Sequence, residues 1–261
     1  MRRQRRRRNH YTVKQRVWAA AGVCLLLLLL VFLLNPGLFK ITVKQVESSF
    51  YDHLKGKPYS RMAYDGIDVS KHNGVIQWQE VAKNTHIQFV YIKATEGRSL
   101  VDKRYRANIA AAREAGLRVG SYHFFTSRSS AQAQFRNFSS VADKQQQDLI
   151  PLVDVEEKGV RSWTPAQVVD SLSVFVSLVK QHYGKLPVIY SGSHFYNEVL
   201  APHFNHHLLF IAAYKDDLPK LKGPGRYNIW QYSERGHVKG IGNYVDLNRF
   251  VSATTIDDLL L

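Results

Sequence analysis

The stretch LIPLVDVEEKG, Leu149 to Gly159, is an apolar run that ends in two carboxylates two residues apart, Asp154 and Glu156. Side chains at i and i+2 of a strand project to one face, so these two point together while Val155 points away, with Cβ atoms roughly 6.5 to 7 Å apart by strand rise. A run with so few polar positions suits a strand covered on both faces, as in a parallel sheet flanked by helices.

Similar short runs recur on both sides of it: Gly66 to Val69, Gln88 to Lys93, Arg118 to Phe124, Leu186 to Tyr190, Leu208 to Ala213 and Tyr227 to Tyr232. Helix-compatible segments lie between them. Thr164 and Pro165 stand before residues 166–182 as N-cap and first helical residue, Tyr105 to Ala115 stops at Gly116, and residues 132–141 form a more polar helix. Alternation of this kind predicts an α/β fold, and at this length a closed, TIM-like β/α barrel forming one domain over 64–261. In such a barrel the C-terminal strand ends line the active site, which is where the spacing puts Asp154 and Glu156.

Taken alone, an Asp-x-Glu pair equally serves as a solvated strand end or a helix cap. Other strand ends in this chain carry acids as well: Asp68 in Gly66-Ile67-Asp68-Val69, Glu96 after Ile92-Lys93-Ala94-Thr95, and Asp246 in Val245-Asp246-Leu247-Asn248. Aromatic and hydrogen-bonding groups accompany them, namely Tyr122, His123 and Phe124, then Tyr190, Tyr214, Trp230 and Gln231. Flat rings among carboxylates suit a sugar, whose C–H faces pack on aromatics and whose hydroxyls need acceptors. Of two neighbouring carboxylates, one pushed upward serves as general acid while the other stays ionised, as glycoside hydrolysis requires.

The formal net charge of +15 is concentrated at one end, because residues 1–16 hold seven Arg and one Lys and no acid. Val17 to Leu34 follow without a charge, eighteen residues including the run Leu25 to Leu30. At 1.5 Å per residue this spans about 27 Å, enough for the hydrocarbon core of a bilayer. We expect a basic cytoplasmic tail (1–16), an uncleaved transmembrane signal anchor (17–34), a stalk (35–63) and a catalytic domain on the extracytoplasmic side, held by a single pass; this arrangement also resembles anchored members, found in Gram-negative bacteria, of the family described next, which implies the inner membrane and a periplasmic catalytic domain. The only cysteine, Cys24, precludes an intrachain disulfide. A nucleic-acid arm would not need a spanning helix behind it, so no nucleic-acid partner is expected. Lys215, Lys220, Lys222 and Arg226 help to hold an anionic polymer, lie near anionic lipid or form a merely solvated surface.

The segments YDGIDVSKHNGVIQW (64–78), FVYIKATEG (89–97), GLRVGSYHFF (116–125), PLVDVEE (151–157), PVIYSG (187–192) and IWQYSERGHVKGIGNYVDLNRF (229–250) closely resemble, in order, those of glycoside hydrolase family 25. The resemblance implies a modified β/α barrel with fewer regular helices, and a lysozyme (muramidase) that cuts peptidoglycan between N-acetylmuramic acid and N-acetylglucosamine with retention. It implies Glu156 as general acid, Asp154 as nucleophile or as the carboxylate that orients the substrate's acetamido group, and Asp68 and Asp246 as further cleft acids. Tyr122, Phe124, Lys93, Glu96, Tyr190, Tyr214, Trp230 and Gln231 are then expected to bind substrate. Gln77 departs from the resemblance, since an Asp often precedes that Trp; a change in local hydrogen bonding without loss of activity is expected.

The partners expected are glycan strands of peptidoglycan and the membrane, with a monomeric catalytic domain, no cofactor and no metal. His203, His206 and His207 lack a carboxylate at ligand spacing and read as loop residues. Asn137-Phe138-Ser139 is a chance glycosylation motif. A catalytically silent binding module on the same fold would be expected to lack Asp154 or Glu156, and a metal-dependent hydrolase would respond to a chelator.

Overall fold

The computed structural model describes residues 64–261 apart from 216, 217, 224, 225 and 252. The expected tail, anchor and stalk lie outside the described residues, as do those parts of the loops. Among the described residues no helix is long and apolar enough to cross a membrane.

The strands are β1 (Gly66–Val69), β2 (Phe89–Glu96), β3 (Leu100–Val101), β4 (Val119–Phe124), β5 (Leu152–Asp154), β6 (Val188–Gly192), β7 (Leu209–Ala212), β8 (Ile229–Gly236) and β9 (Val245–Phe250). They are ordered β1-β9-β8-β7-β6-β5-β4-β2-β3, and β1 also pairs with β2, which closes a barrel and leaves β3 as a short arm on β2. Pairing is parallel from β1 through β2 and β4 to β8. β9 is antiparallel to both β8 and β1. The sequence reading placed seven apolar runs and did not recognise β9 as the strand that closes the ring. Its VDLNRF mixes apolar and polar residues, and four of the six are only partly buried, so it lacks the continuous apolar signal of the others.

Three long helices pack outside: α1 (Tyr105–Glu114), α2 (Ala131–Val141) and α3 (Pro165–Tyr183). Thr164 caps α3 as expected: its Oγ1 accepts from the Gln167 N–H (3.3 Å), and Gln167 Oε1 accepts from the Thr164 N–H (2.9 Å). Elsewhere the alternation thins to single turns at Trp78–Val81 and Glu157–Val160 and to a short helix Ser193–Phe195 that runs on into a π-helical turn, Tyr196–Leu200, and among the described residues between β7 and β8 there is no helix. Gln77 precedes the first of these turns and makes no side-chain capping hydrogen bond. Asn137 Nδ2 is engaged by Gly97 O (2.9 Å) and Leu100 O (3.2 Å), so this side chain latches the β2–β3 arm.

Inside the barrel, alternate residues stack in layers. Phe89, Tyr91, Leu152, Val188, Phe210 and Ile229 fill the lower part, and Leu149, Ile150 and Leu259 join the same cluster. Gly120 is required by this filling, because a Cβ there would come within 2.6 Å of the Tyr91 ring. The apolar layers stop one residue pair short of the strand ends, and above them the inward positions become polar.

Candidate active site

That upper layer is the floor of a cleft of about 720 Å³, lined among others by Asp68, Lys93, Glu96, Tyr122, Phe124, Asp154, Glu156, Tyr190, Tyr214, Gln231 and Asp246. The volume is typical of sites that hold small ligands. All four carboxylates and all but one of the other expected site residues are thus brought together.

The exception is Trp230. It is 2% exposed and its Nε1 donates to Ala213 O at 2.9 Å, outside the cleft. The reason is the period of two: Gln231 faces the lumen, so its neighbour on the strand must face the other way. His123 is outward for the same reason. It is fully buried, with Nδ1 2.7 Å from Thr95 Oγ1 and its ring stacked on Phe175 at 5.0 Å, and burial pushes it down to about 4. The neutral imidazole ties the barrel to α3.

Asp154 ends β5 between Phe124 of β4 and Tyr190 of β6. It is 8% exposed, and its Oδ1 has no hydrogen-bond partner among the described residues. Burial, and then the charge of Glu156, push its carboxyl well above the usual carboxylate range. Glu156 follows in extended backbone (φ −120°, ψ 152°) as N-cap of the single turn Glu157–Val160, so both acids face the cleft and Val155 is fully buried behind them. Glu156 Oε2 lies 2.6 Å from Lys158 Nζ. The turn is tight: a Cβ on Gly159 would sit 2.5 Å from the Phe125 carbonyl oxygen.

Asp68 and Asp246 face each other across the β1–β9 pairing. Asp246 begins β9 instead of ending a strand. Because β9 runs antiparallel, its beginning lies at the same mouth as the ends of the parallel strands. Burial and the adjoining Asp68 push Asp246 up to about 9, so at neutral pH it carries the proton between the two. Asp68 Oδ2 accepts from Gln231 Nε2 (2.8 Å) and Asn248 Nδ2 (2.9 Å). Gln231 Oε1 in turn accepts from the Tyr190 (2.8 Å) and Tyr214 (2.6 Å) hydroxyls, which fixes the orientation of its amide. Burial holds both phenols above their ordinary value, so they remain donors.

Glu96 is held differently. Burial raises it, but Lys93 Nζ at 3.0 Å and Arg128 at 2.8 Å prevail and keep it below its ordinary value. Lys93 and Lys158 flank the Phe124 ring at 4.7 and 5.4 Å from its centroid. Both ammonium groups are within cation–π range of that ring, which also lines the cleft.

Sequence reasoning missed Asn248, Arg128, Lys158 and Arg161. Asn248 carried a signal, being two residues from Asp246 and therefore on its face. Lys158 also lies two residues from Glu156, but it turns back to the site only through the helical turn. Lys215, Lys220, Lys222 and Arg226 do not line the cleft. Lys222 pairs with Glu198 at 2.8 Å.

Comparison with known proteins agrees with this arrangement. The glycosyl hydrolases family 25 profile matches residues 67–241. Lysozyme M1 of Streptomyces globisporus is 30% identical over 205 residues, 74% of this chain and 69% of that protein. YegX of Escherichia coli K12, described as uncharacterized, is 40% identical over 189 residues, 71% of this chain and 68% of its own. Among solved structures, a family 25 glycosyl hydrolase from Bacillus anthracis superposes with a TM-score of 0.67 at 31% identity, covering 75% of this chain and 92% of that one. A lysozyme from Streptomyces coelicolor gives 0.68 at 28%, covering 76% and 95%. A barrel alone would not choose a chemistry, but a matched profile, a homologous lysozyme and an acid-lined mouth agree: the chain belongs to glycosyl hydrolase family 25 and is a glycoside hydrolase of the lysozyme type.

Proposed function

We propose that this lysozyme cleaves the β-1,4 bond between N-acetylmuramic acid and N-acetylglucosamine with retention, using Glu156 as general acid and Asp154 as the carboxylate that holds the substrate's acetamido group. As the C1–O bond breaks, the glycosidic oxygen takes the proton of Glu156, and the acetamido oxygen closes on C1. Asp154 accepts the acetamido N–H as positive charge develops there. Glu156, now a base, removes a proton from the water that reopens the ring, so the configuration is retained.

The observation that carries this reading is Asp154 Oδ1, buried at the mouth without a hydrogen-bond partner among the described residues and two residues from Glu156. The phenols of Tyr190 and Tyr214, through Gln231, keep Asp68 and the protonated Asp246 in place beneath the sugar.

The test is digestion of purified peptidoglycan by the full chain, with mass spectrometry of the glycan ends. Wild-type protein should produce reducing N-acetylmuramic acid ends, and Glu156→Gln or Asp154→Asn should each lower the rate by roughly 10²- to 10⁴-fold. Anhydro ends would mean transglycosylation and defeat the proposal. A thiazoline mimic of the cyclised acetamido intermediate should inhibit the wild type and bind Asp154→Asn far more weakly. We further propose that residues 17–34 hold the enzyme in the inner membrane, with the arginines inside and the barrel in the periplasm. Protease added to spheroplasts should then remove the barrel and spare the tail.

A further inference from the structure

We propose that Lys158 is a positioning residue for the general acid: its ammonium holds Glu156 as the carboxylate in the free enzyme and is displaced by substrate before Glu156 donates. The inference rests on the reading of Glu156 as proton donor and adds the side chain that controls when the proton is there.

The root of Lys158 is fixed. The Gly159 N–H donates to Glu156 O (2.9 Å), the Ser127 N–H donates to Gly159 O (2.9 Å), and a Cβ on Gly159 would meet the Phe125 carbonyl oxygen at 2.5 Å. The turn Glu157–Val160 is therefore packed against the end of β4, and it folds residue 158 back toward the side chain of Glu156. The tip is free by comparison. The Lys158 side chain is 70% exposed, with Nζ 2.6 Å from Glu156 Oε2 and 5.4 Å from the centroid of the Phe124 ring. That ring keeps the ammonium within cation–π range when it leaves the carboxylate.

The other groups that face Glu156 act the opposite way. Asp154 of β5 and the Asp68–Asp246 pair of β1 and β9 line the same cleft, and burial first, with the Glu156 charge in part, pushes all three above their ordinary values. Burial and the same acids keep Tyr190 of β6 a neutral phenol. Across the Phe124 ring, Lys93 is committed to Glu96, which also accepts from Arg128. Among the described residues Lys158 is the cation paired with Glu156. Burial works against its charge, but the hydrogen bond to Glu156 prevails and holds Lys158 above its ordinary value, so it stays an ammonium. An acidic neighbourhood thus favours the protonated form of Glu156, and one ammonium opposes it.

The pair and the competent acid exclude each other at Oε2. An ammonium has three donors and no acceptor, so it cannot receive the O–H of a carboxylic acid. Substrate that brings its glycosidic oxygen to Glu156 takes the ammonium's place. The proton then passes from Glu156 to that oxygen, and Lys158 keeps its own protons throughout.

Initial rates of hydrolysis of soluble peptidoglycan fragments by the full chain in detergent, measured from about pH 3 to 9 at low and at saturating substrate, test this; kcat/KM reports the free enzyme and kcat the complex. In Lys158→Met, the alkaline limb of kcat/KM should lie about half a pH unit above that of the wild type, roughly threefold in rate beyond the limb, as suits a partly exposed ion pair. The alkaline limb of kcat should stay in place, because substrate has already displaced the ammonium in the complex. Lys158→Arg, which keeps a cation, should follow the wild type in both profiles. A merely structural lysine would lower the rates without moving a limb. That result, or turnover lost at every pH, overturns the inference while leaving Glu156 as the acid. A Glu156→Gln chain that still hydrolyses with the wild-type alkaline limb defeats the cleavage reading itself, and the role of Lys158 goes with it. Both Lys158 replacements fall on an exposed side chain, so the variants remain folded.

Discussion

Asp246 and Asp68 meet at the mouth of the barrel, and their shared proton makes a prediction about stability. The folded-state value of Asp246 is about 9, well above that of an unfolded aspartate, so the native state holds this proton more tightly. Its stabilising contribution is fully present below about pH 4 and is lost as pH rises through about 9. Asp246→Asn, fixed in the neutral form, should follow the wild type in thermal unfolding near pH 4 and unfold at a higher temperature near pH 9. Parallel curves would remove the shared proton from the account. His123, neutral because burial pushes it down to about 4, adds a loss on the acid side that both proteins share.

At the scale of elements, two neighbouring caps separate stability from function. Thr164→Ala removes the capping box of α3 and should cost about 1 kcal/mol with activity per folded molecule unchanged. Gly159→Ala acts on the turn that carries Glu156, where the added methyl meets the Phe125 carbonyl at 2.5 Å. The turn must shift, and Glu156 and Lys158 with it. Turnover should fall by about 10²-fold, as misplacement of a catalytic group by about 1 Å does, while the circular dichroism spectrum stays that of the wild type. Equal turnover in the two variants would show that the turn does not position Glu156.

For the whole molecule, the barrel divides its work by depth. The lower layers are apolar and are closed by the C-terminal segment: Leu259 is fully buried, and the Ile150 N–H donates to Leu259 O at 2.8 Å. Leu259→Ala should cost about 2 to 5 kcal/mol and lower the unfolding temperature by roughly 5 to 15 °C. The site lies at the opposite end, so kcat measured well below that temperature should be unchanged. A variant with reduced kcat but an unshifted unfolding temperature would contradict this division.

Much of this arrangement was legible from residue order. Period-two spacing put Asp154 and Glu156 on one face, apolar runs and caps marked seven strands and the three long helices, and ordered motifs carried the resemblance to the family. Those properties are local, carried by neighbours in the chain. Tertiary structure decided what depends on distant strands: that β9 closes the ring antiparallel and so delivers Asp246 to the mouth from a strand's beginning, that Trp230 faces outward while Gln231 faces in, and that Asn248 and Gln231 hold Asp68. It also decided that loops after β4 and β5 gather Arg128, Lys158 and Arg161 at one end of the cleft. Charge placement of that kind leaves no periodic trace, because surface residues obey no packing constraint until the fold brings them together.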